Sequence, residues 1–370
     1  MKNEGRACLA HTNMLPNQDE FFMKRALALA KKGRGRVSPN PLVGCVIVRR
    51  GKIIAEGYHK KFGGLHAEIE ALTKIQHRAK GATLYVTLEP CHHFGKTPPC
   101  VDAVIASGVT RVVVAMRDPN SLTYGKSLKK LRAARIMVTT GVLAAEAKEL
   151  NRFFLKHITT GLPFVIAKVA QSLDGMITTK RGQQSWITGA AASQYVQNLR
   201  ESVDAILVGR GTIAIDDPRL NVRRMRAPQP LRVVLDSKLA LSPKAKIFSI
   251  PGGRILILTS NTADKNRARV LAKAGAEVVR LPHSKGKLSL RAALKILGER
   301  GIASVLVEGG AEIFSSFARE RLADEWQFLI APRAVGSVGL PAFNKKSELR
   351  FKMLKIEQIG DDILVRAQLP

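Results

Sequence analysis

Three residues of the sequence, His66, Cys91 and Cys100, have side chains that bind zinc, and an acidic residue lies close to the first of them. His66 begins a segment with a helical pattern, Cys91 follows a strand pattern, and Cys100 comes after two prolines that favour a helix start. One imidazole and two thiolates fill three positions of a tetrahedral zinc ion and leave the fourth for water, whose pKa zinc lowers toward ~7. Glu68, two residues after His66, is then placed to move protons between that water and a leaving amine.

Each of these residues also has a more ordinary interpretation. A buried cysteine behaves as a small hydrophobic residue, and a histidine at a helix start needs no ligand. Their combination at strand-to-helix junctions favours the zinc site. The spacing is unusual, because eight residues separate Cys91 from Cys100, whereas the common zinc-deaminase signature places two residues between its cysteines.

Two glycine-rich segments in the second half of the chain are candidates for phosphate binding. Gly309-Gly310 follows the predicted strand SVLVE and precedes a helix, so backbone N–H groups at the helix N-terminus can approach a phosphate. A tight turn explains these glycines equally well. The segment Gly209-Arg210-Gly211-Thr212 also follows a strand, but it is only a partial glycine-rich motif.

The elements that must position these residues alternate between helix and strand, which is typical of a three-layer α/β fold. In the first half, helices are predicted at 21–32, 66–77, 100–107, 126–134 and 144–157, and strands at 42–48, 52–57, 83–88, 111–116 and 136–140. In the second half, strands are predicted at 164–170, 205–209, 232–236, 255–259, 277–281 and 304–310, and helices near 190–201, 264–274, 288–300 and 311–321. Residues 159–163 are a predicted linker. We therefore expect domains at 20–158 and 164–370, preceded by a disordered extension of residues 1–19.

The composition restricts the class of protein. The 370 residues suit two domains, four cysteines are too few for a disulfide scaffold, and the first twenty residues lack the apolar segment of a secretory signal. No apolar run approaches the ~18–20 residues that span a bilayer, so a cytoplasmic protein without a membrane partner is expected. The net charge of +31 favours anionic partners, such as phosphorylated small molecules or nucleic acid. An aromatic content of 5% argues against a stacking platform for single strands, so no specific nucleic-acid partner is expected.

Longer segments of the sequence resemble the family of bifunctional riboflavin-biosynthesis deaminase/reductases. In the first half these are SPNPLVGCVIV (38–48), GLHAEIEAL (64–72) and YVTLEPCHHFGKTPPC (85–100). In the second half they are KVAQSLDGMI (168–177), AILVGRGTIAIDDPRLNVR (205–223) and LVEGGAEIF (306–314). The long loop between the two cysteines is a feature of this family, and the deaminase segments are the more specific ones.

The resemblance implies a cytidine-deaminase-like domain followed by an α/β domain similar to dihydrofolate reductase. The first would deaminate 2,5-diamino-6-ribosylamino-4(3H)-pyrimidinone 5′-phosphate, with one zinc ion on His66, Cys91 and Cys100 and with Glu68 as proton shuttle. The second would use NADPH to reduce the ribosyl group, giving 5-amino-6-ribitylaminouracil 5′-phosphate. Asn40 is implied to contact the first substrate, although it would also suit a turn between two prolines.

The resemblance also implies the residues of the reductase site. Lys168, Asp216 and Glu308 would handle the sugar, since lysine can orient or protonate it and carboxylates accept hydroxyl hydrogens. Substrate contacts are implied for Gln184, Arg200, Leu220, Arg223 and Glu308. Cofactor contacts are implied for Ala170, Trp186, Thr212, Asp216, Ser237, Gly310, Ala311, Glu312, Ile313, Phe314, Ser315 and Ser316. The two arginines suit the substrate's phosphate, but they would also suit a solvated surface, and Trp186 would also suit a core position.

Three departures from the family pattern stand out. His92 replaces the usual serine beside Cys91, and an extra imidazole there can alter hydrogen bonding around the metal. The segment 118–125, which includes Ser121, lacks the family's second proline. Gln183 and Gln184 replace an acidic residue and a serine, which puts full reductase efficiency in question.

Two other functions fit part of the pattern. The first is a zinc deaminase acting on tRNA or a nucleobase, with the second half as an accessory RNA-binding domain. The high charge favours it, whereas the long cysteine loop, the few aromatics and the second-half segments oppose it. The second is a binding protein with a structural zinc, which is opposed by Glu68 and by the presence of only three protein ligands. For the deaminase/reductase interpretation, a homo-oligomer is expected.

Overall fold

A computed structural model of the protein describes residues 16–92, 99–120, 123–249, 253–284, 286–343 and 348–370. The chain forms two compact units. The first contains the described residues of Met1–Gly33 and Pro41–Asn151, and the second contains those of Arg34–Asn40 and Arg152–Pro370. No described helix is long and apolar enough to cross a membrane.

The first unit is built on one five-stranded sheet. Its helices are α1 (Pro16–Ala30), α2 (Ala67–Thr73), α3 (Cys100–Ala106), α4 (Lys126–Ala133) and α5 (Ala144–Leu150). Its strands are β1 (Gly44–Arg49), β2 (Lys52–Tyr58), β3 (Thr83–Leu88), β4 (Arg111–Met116) and β5 (Met137–Thr140), in the spatial order β2-β1-β3-β4-β5. β1 is antiparallel to β2 and β3, whereas β3, β4 and β5 are parallel. The carboxyl ends of β3 and β4 therefore lie at the same edge of the sheet.

Two glycines allow helices to approach this sheet closely. A Cβ atom at Gly44 in β1 would lie 2.0 Å from the carbonyl oxygen of Ala26 in α1. A Cβ at Gly57 in β2 would lie 2.3 Å from the carbonyl oxygen of Ala67, the first residue of α2. Only glycine permits such contact between a strand and the backbone of a helix. The start of α2 is thereby held directly against β2.

A buried ion pair anchors α1. Asp19 is 7% exposed and accepts two hydrogen bonds from the Arg111 guanidinium, at 2.8 and 2.6 Å, and one from the Tyr85 hydroxyl at 2.8 Å. The prediction of a disordered extension over residues 1–19 is therefore wrong for residues 16–19, which belong to α1. The sequence pattern does not show these partners, because they come from β3 and β4, far along the chain. Residues 1–15 lie outside the described residues.

The second unit contains a nine-stranded sheet. Its helices are α6 (Arg152–Thr160), α7 (Ala190–Ser202), α8 (Arg210–Asp216), α9 (Lys265–Lys273), α10 (Leu290–Glu299) and α11 (Ala311–Arg319). Its strands are β6 (Phe164–Ser172), β7 (Met176–Thr178), β8 (Ala205–Gly209), β9 (Leu231–Leu235), β10 (Ile255–Ser260), β11 (Ala276–Leu281), β12 (His283–Ser284), β13 (Lys287–Leu288), β14 (Ser304–Val307), β15 (Glu325–Ala331), β16 (Leu340–Pro341), β17 (Lys352–Ile359) and β18 (Asp362–Gln368).

The large sheet has the strand order β11-β10-β9-β8-β14-β6-β15-β18-β17. The strands from β11 to β15 in this order are parallel to one another, and β18 is antiparallel to both of its neighbours, β15 and β17. The central strands β8 and β14 are buried at every position and mostly apolar, as expected for parallel strands covered on both faces. Two short antiparallel pairs, β12 with β13 and β7 with β16, lie outside this sheet.

Most predicted elements are present, with three corrections. The single helix expected at 144–157 is two helices, which meet at Asn151. The buried side chain of Asn151 binds the backbone of Leu42, accepting from its N–H at 2.7 Å and donating to its carbonyl at 3.0 Å. The expected linker at 159–163 begins inside α6. Helix α8, the long strands β15, β17 and β18 and the short strands β7, β12, β13 and β16 were not predicted. Glu325 and Gln327 of β15 look solvent-exposed in sequence, but both are buried and bind Arg366 and Tyr195 respectively.

The close contact at Gly57 generates a testable prediction. Gly57→Ala places a methyl group against backbone atoms of α2 that cannot rotate away, so α2 must move. We expect the unfolding free energy of the first unit to fall by ~1–3 kcal/mol, as measured from its transition in urea. We also expect weaker zinc retention, because His66 lies at the start of α2.

Gly211→Ala is the matched control. A Cβ at Gly211 meets nothing within 4 Å, and the residue lies in α8 of the second unit. Equal stability of the Gly57→Ala variant and the wild-type chain would show that α2 is not held by this contact.

Candidate active sites

The three predicted zinc ligands lie together in the first unit. The His66 Nδ1 atom is 3.2 Å from the Cys100 sulfur and 3.6 Å from the Cys91 sulfur, and the three ligand atoms all lie within 4.8 Å of one another. Tetrahedral zinc with ordinary Zn–N and Zn–S bonds separates its ligand atoms by roughly 3.5–3.8 Å. The donor set and its spacing therefore fit a single zinc ion with one open position.

Each ligand is placed by the end of a secondary-structure element. His66 caps the N-terminus of α2, Cys91 follows β3, and Cys100 is the first residue of α3 after Pro99, as the sequence predicts. The backbone N–H of Cys100 donates to the Cys91 sulfur at 3.1 Å. Hydrogen bonds from the Cys100 side chain and from His66 lower the pKa of Cys91 despite its burial, so this sulfur favours the thiolate that binds metal.

Glu68 is buried in the first turn of α2, close to the predicted ligands. Its exposure is 3%, and burial, reinforced by the negative charge of Cys91, raises its pKa to about 7. A carboxyl group with a pKa near the working pH exchanges protons readily in both directions, which is what a proton shuttle requires. Nearby Cys45 on β1 is also buried, and burial with the charge of Glu68 raises the pKa of its thiol. Cys45 is not part of the described cluster of ligand atoms formed by His66, Cys91 and Cys100.

Sequence analysis missed a second histidine beside the ligands. His59, at the end of β2, is 2% exposed and packs edge-to-face against His66, with ring centroids 5.4 Å apart. Its Nδ1 atom lies 2.9 Å from the Leu65 carbonyl oxygen. Burial lowers the pKa of His59, so the ring favours its neutral form. The only sequence signal for it is a histidine that follows the predicted strand preceding His66.

Other residues singled out near this site have mixed positions. His92 is half-buried, and its Nδ1 atom has no hydrogen-bond partner among the described residues. Residues 93–98 of the cysteine loop and Ser121 lie outside the described residues. Asn40 belongs to the 34–40 segment of the second unit, where its N–H donates to the Val37 carbonyl, so its implied substrate contact stays a prediction.

The second candidate site is centred on a buried carboxylate. Glu308 directly follows β14, and its oxygens accept two hydrogen bonds from Arg200 of α7, at 2.7 and 2.9 Å. Lys168 of β6 lies 3.2 Å from the same carboxylate. Burial alone would raise the pKa of Glu308, but the two cations outweigh it and lower that pKa to about 2. Glu308 is therefore a permanent anion between two cations.

Asp216, the last residue of α8, has the opposite shift. Burial raises its pKa, and the positive charge of Lys168 opposes this only in part. Lys168 thus interacts electrostatically with both acidic residues expected to handle the sugar. A lysine next to one ionised carboxylate and one carboxyl group that gains protons more easily suits proton transfer to a bound sugar.

The predicted substrate residues differ in exposure. Arg200 is half-buried, pairs with Glu308 and also donates to the Asn221 carbonyl at 3.3 Å, so the alternative of a solvated charge is wrong for this residue. Arg223 is exposed, and its backbone N–H donates to Gln197 of α7 at 2.9 Å. Leu220 is buried with a positive φ of 50°, and Gln184 is exposed. Arg223 and Gln184 are therefore accessible to a phosphate, and Arg200 is already engaged with Glu308.

Most of the predicted cofactor residues lie at or after the carboxyl ends of parallel strands. They lie on β6 (Ala170), in a loop (Trp186), in α8 (Thr212, Asp216), after β9 (Ser237) and along the start of α11 (Gly310, Ala311, Glu312, Ile313, Phe314, Ser315, Ser316). A Cβ at Gly310 would lie 3.9 Å from the Thr212 hydroxyl, so the starts of α8 and α11 are neighbours. Trp186 is 69% exposed, so a core position is wrong for it, whereas Phe314 is 3% exposed and packs in the core.

Comparisons with known proteins agree with these two sites. The family model of the cytidine and deoxycytidylate deaminase zinc-binding region matches residues 16–116, and that of the RibD C-terminal domain matches residues 163–365. The riboflavin biosynthesis protein RibD of Aquifex aeolicus is 42% identical over 95% of this chain and 99% of its own length. That of Escherichia coli is 40% identical over 94% of this chain and 98% of its own length.

Solved structures give the same result for the fold. RibD of Acinetobacter baumannii (form 1) is 39% identical, with a TM-score of 0.88 and coverage of 96% of this chain and all of that one (100%). The Thermotoga maritima diaminohydroxyphosphoribosylaminopyrimidine deaminase/5-amino-6-(5-phosphoribosylamino)uracil reductase is 40% identical, with a TM-score of 0.85 and coverage of 96% of this chain and 99% of that one. The predicted fold class is confirmed. The alternative of an accessory RNA-binding domain is not supported, because the second half matches the RibD C-terminal domain.

Both halves of the chain, each with its own buried site, match one family along nearly the whole sequence. The expected cofactors, zinc for the deaminase and NADPH for the reductase, follow from that match. The chain belongs to the RibD family of bifunctional riboflavin-biosynthesis deaminase/reductases.

Proposed function

We propose that the chain catalyses two consecutive steps of riboflavin biosynthesis. The first is hydrolytic deamination of 2,5-diamino-6-ribosylamino-4(3H)-pyrimidinone 5′-phosphate, and the second is reduction of the ribosyl group of the product to give 5-amino-6-ribitylaminouracil 5′-phosphate. The observation that carries the proposal is the cluster of His66, Cys91 and Cys100 with buried Glu68 beside it. We assign the first step to residues 20–158 and the second to residues 164–370.

In the deaminase site, His66, Cys91 and Cys100 would hold zinc, which when bound supplies the Lewis acidity that activates a water molecule. Glu68 would take a proton from that water and deliver it to the departing amino group as ammonia. Its burial supports this role, because a carboxyl group with a pKa of about 7 can both accept and release a proton at neutral pH. Asn40 is proposed to contact the pyrimidine substrate.

In the reductase site, NADPH would supply the hydride, and Lys168 would orient and protonate the opening sugar. Glu308 holds the Lys168 side chain in place, and Asp216 would accept a hydroxyl hydrogen of the substrate. Arg223 and Gln184 are proposed to bind the phosphate of the substrate at the exposed rim of the site. Leu220 and Arg200 are proposed to contact the same substrate, Arg200 from its position beside Glu308. The cofactor would lie along the starts of α8 and α11. It would contact Ala170, Trp186, Ser237 and the residues from Gly310 to Ser316, except Phe314, which packs in the core.

The remaining partners are small molecules. The phosphorylated pyrimidine and NADPH account for a preference for anions, so no specific nucleic acid is required. We retain a homo-oligomer and a cytoplasmic location as proposals.

The zinc site is tested by removing one ligand. The wild-type chain should hold one zinc per chain, whereas Cys91→Ser should lose it, because a serine hydroxyl ionises far less readily than a cysteine thiol and is a weak zinc ligand. Metal content after exhaustive dialysis is the measurement. Cys45→Ala, which removes a buried thiol that is not a ligand, should keep its zinc. Stoichiometric zinc in Cys91→Ser would remove Cys91 from the site.

The two activities should be separable, since each unit has its own site. Glu68→Gln should retain zinc but lose deaminase turnover by about 10²–10⁴-fold, the usual contribution of general acid–base catalysis, and should still reduce the deaminated intermediate. Lys168→Ala should do the reverse. Ammonia release and NADPH oxidation, followed on separate substrates, measure the two steps. Loss of both activities in a folded Glu68→Gln variant would contradict two independent sites.

Gln184 tests the phosphate contact. A hydrogen bond to a charged group contributes ~1.5–3 kcal/mol, so Gln184→Ala should raise the reductase KM about tenfold or more. The kcat should change little, because the contact is remote from hydride transfer. Gln183→Ala is the matched control, since Gln183 is an exposed neighbour. An unchanged KM in Gln184→Ala would show that this side chain faces solvent in the complex.

A further inference from the structure

A carboxylate that is not a zinc ligand lies beside Cys91. Glu89 directly follows β3 and is 2% exposed. Its backbone N–H donates to the Met116 carbonyl at 3.0 Å, which extends the pairing of β3 with β4 by one residue. Since Cys91 comes two residues later, Glu89 lies at the edge of the sheet where the zinc ligands assemble.

The Glu89 side chain binds both ends of the loop that follows β4, residues 118–125. One carboxylate oxygen, Oε2, accepts from the backbone N–H of Asp118 at 3.3 Å and from that of Gly125 at 3.1 Å. Backbone N–H groups bound to an ionised carboxylate form charge-assisted hydrogen bonds, which are about twice as strong as neutral ones. One oxygen therefore holds together the two ends of this loop.

Two further bonds support the same region. The Ser127 hydroxyl, in the first turn of α4, donates to the Pro90 carbonyl at 2.5 Å. The Asp118 side chain accepts from the Asn120 N–H at 3.0 Å, which shapes the start of the loop. Glu89 thus binds the loop, and Pro90, the next residue, binds α4, so hydrogen bonds link the segment that leads into Cys91 to both.

The second oxygen of the carboxylate has a different environment. Oε1 of Glu89 is buried and has no hydrogen-bond partner among the residues that the structure describes. A buried, unsatisfied carboxylate oxygen is costly, and a side chain present only for stability would be expected to satisfy both oxygens. This cost favours a role for Glu89 in arranging the site.

We propose that Glu89 is a positioning residue of the deaminase site. Its carboxylate holds both ends of the 118–125 loop beside Cys91, so that the described residues of the loop, 118–120 and 123–125, form one wall of the pocket that receives the pyrimidine ring. Ligands of α/β folds bind between the loops at the carboxyl ends of parallel strands, and both β3 and β4 end here. Glu89 acts through the two backbone N–H groups and does not touch the reacting atoms. The inference rests on the proposed deaminase function.

The test compares Glu89→Ala and Glu89→Gln with Glu56→Gln as control. Glu56 is another carboxylate of the first unit. It pairs with Arg25, and both residues are distant in sequence from the 118–125 loop. In Glu89→Ala we expect faster amide exchange at Asp118 and Gly125 and a deaminase KM raised about tenfold or more, with kcat changed much less, because misplaced contacts weaken substrate binding. Glu89→Gln should be intermediate, since its neutral oxygen still accepts these bonds but more weakly. Zinc content and reductase kcat/KM should match those of the wild-type chain.

Each alternative outcome is distinguishable. Wild-type deaminase KM and kcat in zinc-loaded Glu89→Ala would overturn the proposal. Loss of zinc, or a fall in kcat at constant KM with unchanged loop exchange, would also overturn it, because either would place Glu89 in the metal site or in the chemistry. If Glu89→Ala does not fold, the same measurements on Glu89→Gln decide. Absence of deamination in the wild-type chain would overturn the proposed function itself. The wild-type assay therefore distinguishes that failure from a failure of the Glu89 proposal.

Discussion

The parallel pairing of neighbouring strands decides where chemistry can take place in each unit. Parallel strands end at the same edge of a sheet, so residues that follow them in sequence are brought side by side. In the first unit, the ends of β3 and β4 bring Cys91 and Glu89 next to the 118–125 loop. In the second unit, the adjacent strands β6, β14 and β8 place Lys168, Glu308 and the start of α8 at one edge. Helix packing then completes each site, as α2 does by placing His66 against the two cysteines.

Two buried glutamates show how the surroundings of a side chain determine its chemistry. Glu68 and Glu308 have the same functional group and are both removed from water. The pKa of Glu68 is raised to about 7 by burial and by the negative charge of Cys91. The pKa of Glu308 is lowered to about 2, because Arg200 and Lys168 outweigh its burial. The first carboxyl group is therefore suited to exchanging protons, and the second to holding cations in place.

The high positive charge of the chain is distributed between two kinds of environment. Many basic residues are exposed, Arg223 among them, and exposed positive charges attract anionic molecules in general. Others are buried and have structural roles. Arg232 of β9 is 2% exposed and donates to the carbonyl oxygens of Ile247 and Gly253, and Arg111 anchors α1 through Asp19. The net charge of +31 therefore cannot be equated with a nucleic-acid surface.

The sequence by itself predicted which three residues form the candidate zinc cluster, the buried Glu68 beside them, the order of most helices and strands, and the family. Zinc ligands are recognisable because few residue types bind the metal, and local hydrophobic patterns report strands and helices directly. The tertiary structure alone decided that residues 16–19 are helical, that Asn151 divides a helix, that Arg200 is bound to Glu308, and that Glu89 holds the 118–125 loop. Each of these depends on a hydrogen bond or ion pair between residues distant in sequence. A single sequence does not reveal such partners, because polar residues that are buried and paired have the same local pattern as polar residues exposed to solvent.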